Sequence, residues 1–425
     1  MAQTSRSADL TSGPMLQKII LFSIPLAASS ILQLLFNAAD VVVVGRFAGS
    51  TALAAVGSNG SLINLLVNLF VGLSLGANVV AARCFGAKDD RGVQDTVQTS
   101  VTLGLVSGVL LAVVGFFAAR GLLELMSCPE DVIDLSALYL KIYFIGMPMT
   151  MLYNFSSALL RAVGDTKRPL YCLAAAGIIN VVLNLVFVIG FSMSVAGVAL
   201  ATIISQTVSA CMVTRMLMKE EGALHLDLHH LGFHMGALKQ ILLIGLPAGL
   251  QSTVFSLSNV VIQSAVNSFD TTMVEGNSAA ANADSLIYDI MNAFYIACTT
   301  FMAQNYGAGN RERIMKSYKI CLIYSFSIAF VIGLFLRFFG TSFLMLFTRE
   351  PEVIEAGMKR LGIMAFSYCF SAFMDNTIAA SRGLGRTAVP TVIVILGSCV
   401  FRIVWIYTIF AHFRTIPSLY LLYIF

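Results

Sequence analysis

The chain has 425 residues, of which 58% are hydrophobic and 11% charged, with a formal net charge of +4. A soluble globular domain carries about 25% charged residues, so the composition excludes that class and indicates an all-α polytopic membrane protein. Cytoplasmic loops explain the small positive charge better than nucleic-acid binding does, and we expect no nucleic-acid partner.

Runs of about 20 apolar residues are long enough to cross a bilayer as helices. The sequence predicts eleven of them, joined by short loops except for the connector 219–238. They lie at 17–43, 55–82, 96–118, 136–160, 170–191, 194–217, 239–266, 279–304, 317–339, 356–380 and 388–411. The polar residues 1–14 lack the features of a cleaved signal peptide, so the first run is expected to direct insertion.

Charge bias between alternate loops predicts the orientation. Most of the 26 Lys and Arg residues fall in segments on the same side as the N-terminus, including Arg83, Lys88 and Arg91. Positively charged loops are retained in the cytoplasm. We therefore expect an integral protein of the plasma membrane (the cell inner membrane) with a cytoplasmic N-terminus, present as a monomer in contact with membrane lipid.

The Cys and His residues do not form a recognisable metal or disulfide framework. The eight Cys residues are scattered without CxxC or CxxH spacing, and most lie in or beside apolar runs. Four His residues lie in the connector at 225, 229, 230 and 234, which we interpret as a solvated amphipathic segment. No cofactor is expected, and Na⁺ at Asp40, discussed below, is the one metal ion considered.

An internal repeat organises the chain, because landmarks recur at an offset of 221 or 222 residues. The recurring residues are Pro25 and Pro247, Gly86 and Gly307, Pro129 and Pro351, and Pro169 and Pro390. Six runs separate equivalent points, so the two copies share one orientation and are related by an axis along the membrane normal.

The repeat predicts two six-helix lobes with a cleft between them. The N-terminal lobe is residues 1–218 with helices 1–6, residues 219–238 form a cytoplasmic linker, and the C-terminal lobe is residues 239–425 with helices 7–11. The sixth run would recur near 415–438, whereas the sequence stops at Phe425. We therefore expect the twelfth helix to be truncated to a stub.

One acidic residue, Asp40, lies inside the first apolar run, between Leu34-Leu35-Phe36 and four consecutive Val residues. A carboxylate in hydrocarbon costs at least about 2.5–3.5 kcal/mol unless it is protonated, paired or facing water. Its repeat counterpart is Val261 or Ile262, so the scaffold does not require an acid there. Asp40 is predicted to couple a cation, with an ion pair to Arg46 as the alternative.

Partners for this acid are predicted in the fifth run, where Asn180 and Asn184 share one helical face at i and i+4. Their repeat counterparts, Phe401 and Trp405, are apolar. Amide and carboxylate oxygens suit Na⁺, and the same carboxylate can take a proton. Thr202 in the sixth run is a further candidate ligand, and helix–helix packing is the alternative role for the two Asn residues.

The second lobe has its own acid, Asp375, whose repeat counterpart is Asn154. Asp375 and Asn154 are candidates for a substrate or second proton site, with a local structural partner such as Arg402 as the alternative. Each half also begins with a proline inside its first run, Pro25 and Pro247, and proline kinks a helix. We predict a hinge at each.

The sequence resembles the MATE family, the multidrug and toxic compound extrusion transporters, over essentially its whole length. The resemblance is carried by the two proline-led runs and by short motifs in both halves. These are Asn37-Ala38-Ala39-Asp40, Val44-Gly45-Arg46, Gln304-Asn305-Tyr306-Gly307-Ala308-Gly309, and the Arg-x-x-Gly-x-Thr turns at 161–166 and 382–387.

The resemblance implies two six-helix bundles with a central cavity and alternating access. It implies export of small organic, often cationic, compounds in exchange for Na⁺ or H⁺. The first-helix acid of the family matches Asp40, and its first-lobe cation cluster matches Asn180, Asn184 and Thr202. The chain departs from the family where many members have an acid at position 184 and where some have Glu in the seventh helix.

Two other functions were weighed. A flippase for lipid-linked precursors shares the helix architecture but would need a markedly basic cleft, whereas the polar residues here are acids and amides. An intramembrane enzyme would need a catalytic pair in one cavity, and the single His outside the connector is His412, at the end of a run. No Walker motif indicates direct use of ATP.

Overall fold

The computed structural model of the protein describes residues 9–126, 128–345 and 347–423, and all regular secondary structure in these ranges is helical. The α-helices are α1 (Met15–Phe47), α2 (Ser50–Gly86), α3 (Asp90–Leu125), α4 (Glu130–Ile145), α5 (Met147–Ala162), α6 (Lys167–Leu185), α7 (Ser194–Met218), α8 (Met235–Val266), α9 (Thr271–Gly307), α10 (Arg311–Leu344), α11 (Pro351–Gly383), α12 (Ala388–Val394), α13 (Phe401–Trp405), α14 (Ala411–Phe413) and α15 (Ile416–Tyr420). Three π-helical segments (Val186–Gly190, Ile395–Val400, Ile406–Phe410) and three 3-10 turns (Gly222–Leu224, Leu228–His230, Leu421–Tyr423) complete the description.

The structure forms a helix at each of the eleven predicted apolar runs. Within the described ranges, nine helical stretches are long and apolar enough to cross a membrane, or ten if the bent pair α4–α5 is one span. The helix α11, which covers the predicted run 356–380, is long enough to cross a membrane but is less apolar than these. Polar side chains within α11, including Lys359, Arg360 and Asp375, lower its hydropathy.

The fourth predicted run is broken where a single helix was expected. The helices α4 and α5 meet at Gly146 with a bend of 49°. Pro148, the second residue of α5, has no backbone N–H to continue the hydrogen bonds of α4. A Cβ atom on Gly146 would lie 2.6 Å from the Ile203 side chain, so this close packing favours glycine at the bend. The repeat counterpart α11 runs unbroken.

The backbone confirms the internal repeat in detail, beginning with α2 and α9, which have 37 residues each. The N-cap residues Asp89 and Asn310 share φ −89° and ψ 83°, and both side chains accept a backbone N–H three residues later. Left-handed residues recur in pairs at the same offset. They are Lys88 and Gly309, Gly164 and Gly385, and Ser192 and Arg414.

The chain divides into two compact units. Unit 1 contains Ala28–Thr253, Ala303–Gly309 and the described residues 9–13. Unit 2 contains Pro14–Ala27, Val254–Met302 and the described residues from Asn310 onward. The helix α1 therefore starts in unit 2 and continues in unit 1, and α8 starts in unit 1 and continues in unit 2. The lobe boundaries at 218 and 239 stay a prediction.

Glycines allow very close helix approach inside unit 1. A Cβ on Gly86 of α2 would lie 2.0 Å from the Gln304 carbonyl oxygen, and one on Gly307 would lie 2.0 Å from that of Arg83. These two glycines are repeat counterparts. The backbones of α2 and α9 therefore touch where each helix ends, and larger residues would separate them.

We predict that Gly86→Ala lowers the stability of the protein by about 1–3 kcal/mol, because the new methyl group meets backbone atoms that cannot rotate away. Thermal unfolding in detergent measures the effect. The control is Gly121→Ala in α3, where nothing lies within 4 Å of the added Cβ. Equal melting temperatures for wild type and Gly86→Ala would contradict the close contact.

Candidate functional site

The structure brings four predicted site residues together in unit 1. Asp40 lies on α1, Asn180 and Asn184 lie one turn apart on α6, and Thr202 lies on α7. These helices are distant in sequence, since Asp40 and Asn184 are separated by 144 positions. The cluster therefore depends on tertiary packing and not on local sequence.

A chain of side-chain hydrogen bonds connects the four residues. The Asn184 amide nitrogen donates to the Asp40 carboxylate and, over 3.2 Å, to the amide oxygen of Asn180. The Asn180 amide nitrogen donates to the Thr202 hydroxyl over 3.5 Å. The Thr202 hydroxyl donates to the Val198 carbonyl over 3.0 Å. Asp40 therefore lies at the end of a polar network that crosses three helices.

This network leaves one strong acceptor unused. Asn184 is fully buried and Asn180 is 5% exposed, whereas Asp40 and Thr202 are half-buried. The amide oxygen of Asn184 has no hydrogen-bond partner among the described residues. A buried acceptor without a donor costs about 1–3 kcal/mol. A cation beside the Asp40 carboxylate would remove that cost, because Na⁺ is bound by carboxylate, amide and hydroxyl oxygens.

The surroundings of Asp40 are apolar and aromatic. Tyr139 and Tyr143 of α4 stack with their ring centroids 6.0 Å apart, and both rings lie within electrostatic range of the carboxylate. Val43 and Val44 of α1 pack into the same buried cluster. In the described part of the chain, no Lys or Arg, Arg46 included, forms an ion pair with Asp40.

A π-helical segment, Val186–Gly190, begins two residues after Asn184. It widens the helix locally, as π-helical turns in functional sites often do. The second repeat has a π-helical segment at the equivalent position, Ile406–Phe410. The apolar residues of the segment gave no sequence signal for this departure from the α-helix.

Asn154 and Asp375, the residues of the predicted second site, lie in different units. Asn154 of α5 lies in unit 1, where its side chain donates to the Thr150 carbonyl of its own helix over 3.0 Å. Asp375 of α11 lies in unit 2, within electrostatic range of Arg382 and Arg402. Arg402 stays the alternative structural partner of Asp375, and the role of Asp375 stays a prediction.

Sequence reasoning missed a buried charged network in unit 2. Arg360 of α11 donates to one Asp284 oxygen from two of its nitrogens, over 2.9 and 2.6 Å. A third nitrogen donates to Asn277, which also accepts the Tyr420 hydroxyl over 2.8 Å. All four side chains are buried. Asp284 lies near the start of the predicted run 279–304, where an acid is expected to be solvated, whereas the structure buries it.

The internal repeat contained the signal that would have found this network. The first-repeat counterparts of Asn277, Asp284, Arg360 and Tyr420 are Val56, Ile63, Tyr139 and Ala199. These four belong to, or pack against, the apolar cluster beside Asp40. The four positions therefore differ between the repeats as a set, which is expected for side chains in mutual contact. Conversely, Ile262, a counterpart of Asp40, is buried among apolar residues.

A family model described as MatE matches the chain twice, over residues 25–186 and 247–408. The two matches correspond to the two copies of the internal repeat.

Several proteins are similar over most of the chain. The probable multidrug resistance protein YoeA of Bacillus subtilis is 30% identical, over 88% of this chain and 82% of its own length. The probable multidrug resistance protein YpnP of the same organism is 31% identical, over 89% of this chain and 85% of its own. Among solved structures, an outward-facing multidrug resistance MATE family transporter of the MOP superfamily matches with a TM-score of 0.92. It is 24% identical and covers 100% of this chain and 95% of its own.

We predict that Arg360→Gln destabilises the protein by about 3–5 kcal/mol, because it leaves the buried Asp284 carboxylate without its partner. The double variant Asp284→Ile with Arg360→Tyr has the first-repeat residues at both positions and is expected to lose less stability than Arg360→Gln. Thermal unfolding in detergent compares them. The control is Lys359→Gln, at an exposed neighbouring residue. A double variant that is less stable than Arg360→Gln would contradict the prediction.

Proposed function

Because this chain belongs to the MATE family of multidrug efflux transporters, an integral membrane family, we propose that it is a secondary antiporter that exports small organic compounds in exchange for Na⁺ or H⁺. The observation that carries the proposal is the polar network at Asp40, in which a half-buried carboxylate lies beside the unused amide oxygen of buried Asn184. The organic substrates are expected to be cationic in many cases.

The cation step is assigned to Asp40, Asn180, Asn184 and Thr202. The Asp40 carboxylate supplies the one full negative charge, and the amide and hydroxyl oxygens supply further ligands for Na⁺. A proton would use the same carboxylate and needs none of the other ligands. In both cases, the bound cation neutralises a charge that is costly in the apolar cluster around α1. Exchange of that cation is what couples the gradient to export.

The conformational step is assigned to the proline-containing helices α1 and α8. Pro25 lies close to Ala27, the last residue that α1 contributes to unit 2, and Pro247 lies six positions before Thr253, where α8 leaves unit 1. A proline weakens helix hydrogen bonding at each place. Bending at these prolines would change the direction of one part of each helix relative to the other part, without unfolding either part.

The orientation and the second site are parts of the same proposal. Positive loops on the side of the N-terminus support a cytoplasmic N-terminus in the plasma membrane. Asp375 remains a candidate for a substrate contact or a second proton, with its two Arg neighbours as the competing structural explanation. The relatives that match most of the chain are described as multidrug resistance proteins, which favours a transporter over an enzyme.

We expect Asp40→Asn to abolish gradient-driven dye efflux from proteoliposomes while the protein still inserts and folds, because an amide keeps the shape but cannot exchange a cation. The control is Asp134→Asn on α4, whose side chain is 77% exposed. Wild-type efflux by Asp40→Asn under the same gradient would remove the coupling role.

The coupling ion is resolved by imposing Na⁺ and pH gradients separately on the same proteoliposomes. If Na⁺ is the ion, an opposing Na⁺ gradient alone drives export, and Asn184→Ala reduces the apparent Na⁺ affinity because one ligand oxygen is lost. If H⁺ is the ion, a pH gradient alone drives export. Export that responds to neither gradient contradicts antiport.

A further inference from the structure

The first turns of α10 present a basic face that the proposed transport mechanism does not use. Four basic residues, Arg311, Arg313, Lys316 and Lys319, lie within nine positions, with Glu312 as the only acid among them. Within the described residues, no ion pair involves Arg311, Lys316 or Lys319. Their positive charge is therefore available to a partner outside the chain.

These side chains line a shallow groove of about 550 Å³. The lining residues are Arg311, Glu312, Met315, Lys316 and Lys319, all on α10 in unit 2. Met315 is 51% exposed, so the groove combines positive charge with an apolar surface.

An apolar stripe continues from the groove along the same helix face. Ile323 is 61% exposed, Phe326 38% and Phe330 42%. With Met315 and Lys319, these residues follow helical spacing of three and four positions and lie on one side of α10. A ligand that fits the whole face has an anionic head and an apolar tail.

The length of α10 places the groove at the edge of a bilayer. A helix of 34 residues is about 51 Å long, whereas the hydrocarbon core of a bilayer is about 30 Å thick. With the charged turns up to Lys319 in the headgroup region, the helix is long enough for the stripe from Ile323 onward to face acyl chains.

The first repeat provides an internal comparison for this face. The counterparts of Arg311, Glu312 and Lys316 are Asp90, Arg91 and Asp95, so each charge has the opposite sign. This face of α3 is in contact with the connector 219–238. His234 lies 3.3 Å from Asp95, and its backbone N–H donates to Thr99 over 3.0 Å. The connector covers this surface in the first repeat, and in the second repeat the side chains of Arg311, Lys316 and Lys319 are exposed.

We propose that the α10 groove binds the headgroup of an anionic phospholipid, whose acyl chain lies along the stripe from Met315 to Phe330. Lys316 and Lys319 contact the phosphate, and Arg311 extends the positive surface toward water. Basic residues at the membrane boundary attract anionic lipid in this way. The proposal concerns lipid binding and is independent of the coupling ion.

Native mass spectrometry of the detergent-purified chain with added phosphatidylglycerol or phosphatidylcholine tests the proposal. Wild type is expected to bind phosphatidylglycerol at least tenfold more tightly. Lys316→Gln with Lys319→Gln should weaken that binding about thirtyfold, since each basic side chain contributes about fivefold. Both side chains are exposed, and an unchanged melting temperature verifies folding.

The matched control is Lys167→Gln with Lys239→Gln, which removes the same charge from two exposed side chains outside the groove. This variant should keep wild-type affinity for phosphatidylglycerol. Equal loss in both double variants would overturn the proposal, because the effect would then come from net charge. Equal affinity for the two lipids, or displacement of the lipid by millimolar glycerol phosphate, would overturn it as well.

Discussion

A carboxylate in the apolar part of a membrane helix must be neutralised or given hydrogen-bond donors, because hydrocarbon offers neither water nor counter-ions. In this protein the Asn184 amide of α6 donates to Asp40 of α1, and Asn180 and Thr202 continue the network to α7. These amide and hydroxyl groups are neutral, so they do not supply a counter-charge for the carboxylate. The network holds the carboxylate in place, and we propose that a mobile cation balances its charge.

The two repeats share a scaffold but divide polar chemistry between them. The equivalent caps, helix lengths and left-handed residues show that the two repeats have the same backbone path. The first repeat places its acid on α1 and surrounds it with an apolar cluster. The second repeat has aliphatic residues at that position and places a paired acid, Asp284, where the first repeat has Ile63. An acid with a fixed Arg partner suits stability, whereas one with only amide neighbours suits exchange.

Much of this architecture could be predicted from the sequence, because hydropathy and the 221-residue repeat are properties of the whole chain. The structure has helices at the predicted positions. It also brings Asp40, Asn180, Asn184 and Thr202 together. The role of these residues in transport is still a proposal.

Other features depend on contacts between distant helices and could not be read from one segment. The close packing of Ile203 against Gly146 and the buried position of Asp284 beside Arg360 each involve two different helices. The π-helical segments follow from packing of apolar residues whose sequence suits an ordinary α-helix equally well.

The central claim is that the Asp40 carboxylate exchanges one cation for another. Infrared difference spectroscopy of the purified protein follows the protonated carboxyl stretching band, which Asp40→Asn assigns to this residue. We expect this band of Asp40 to disappear when the pH is raised or when Na⁺ is added. An Asp40 signal that responds to neither change would contradict the account.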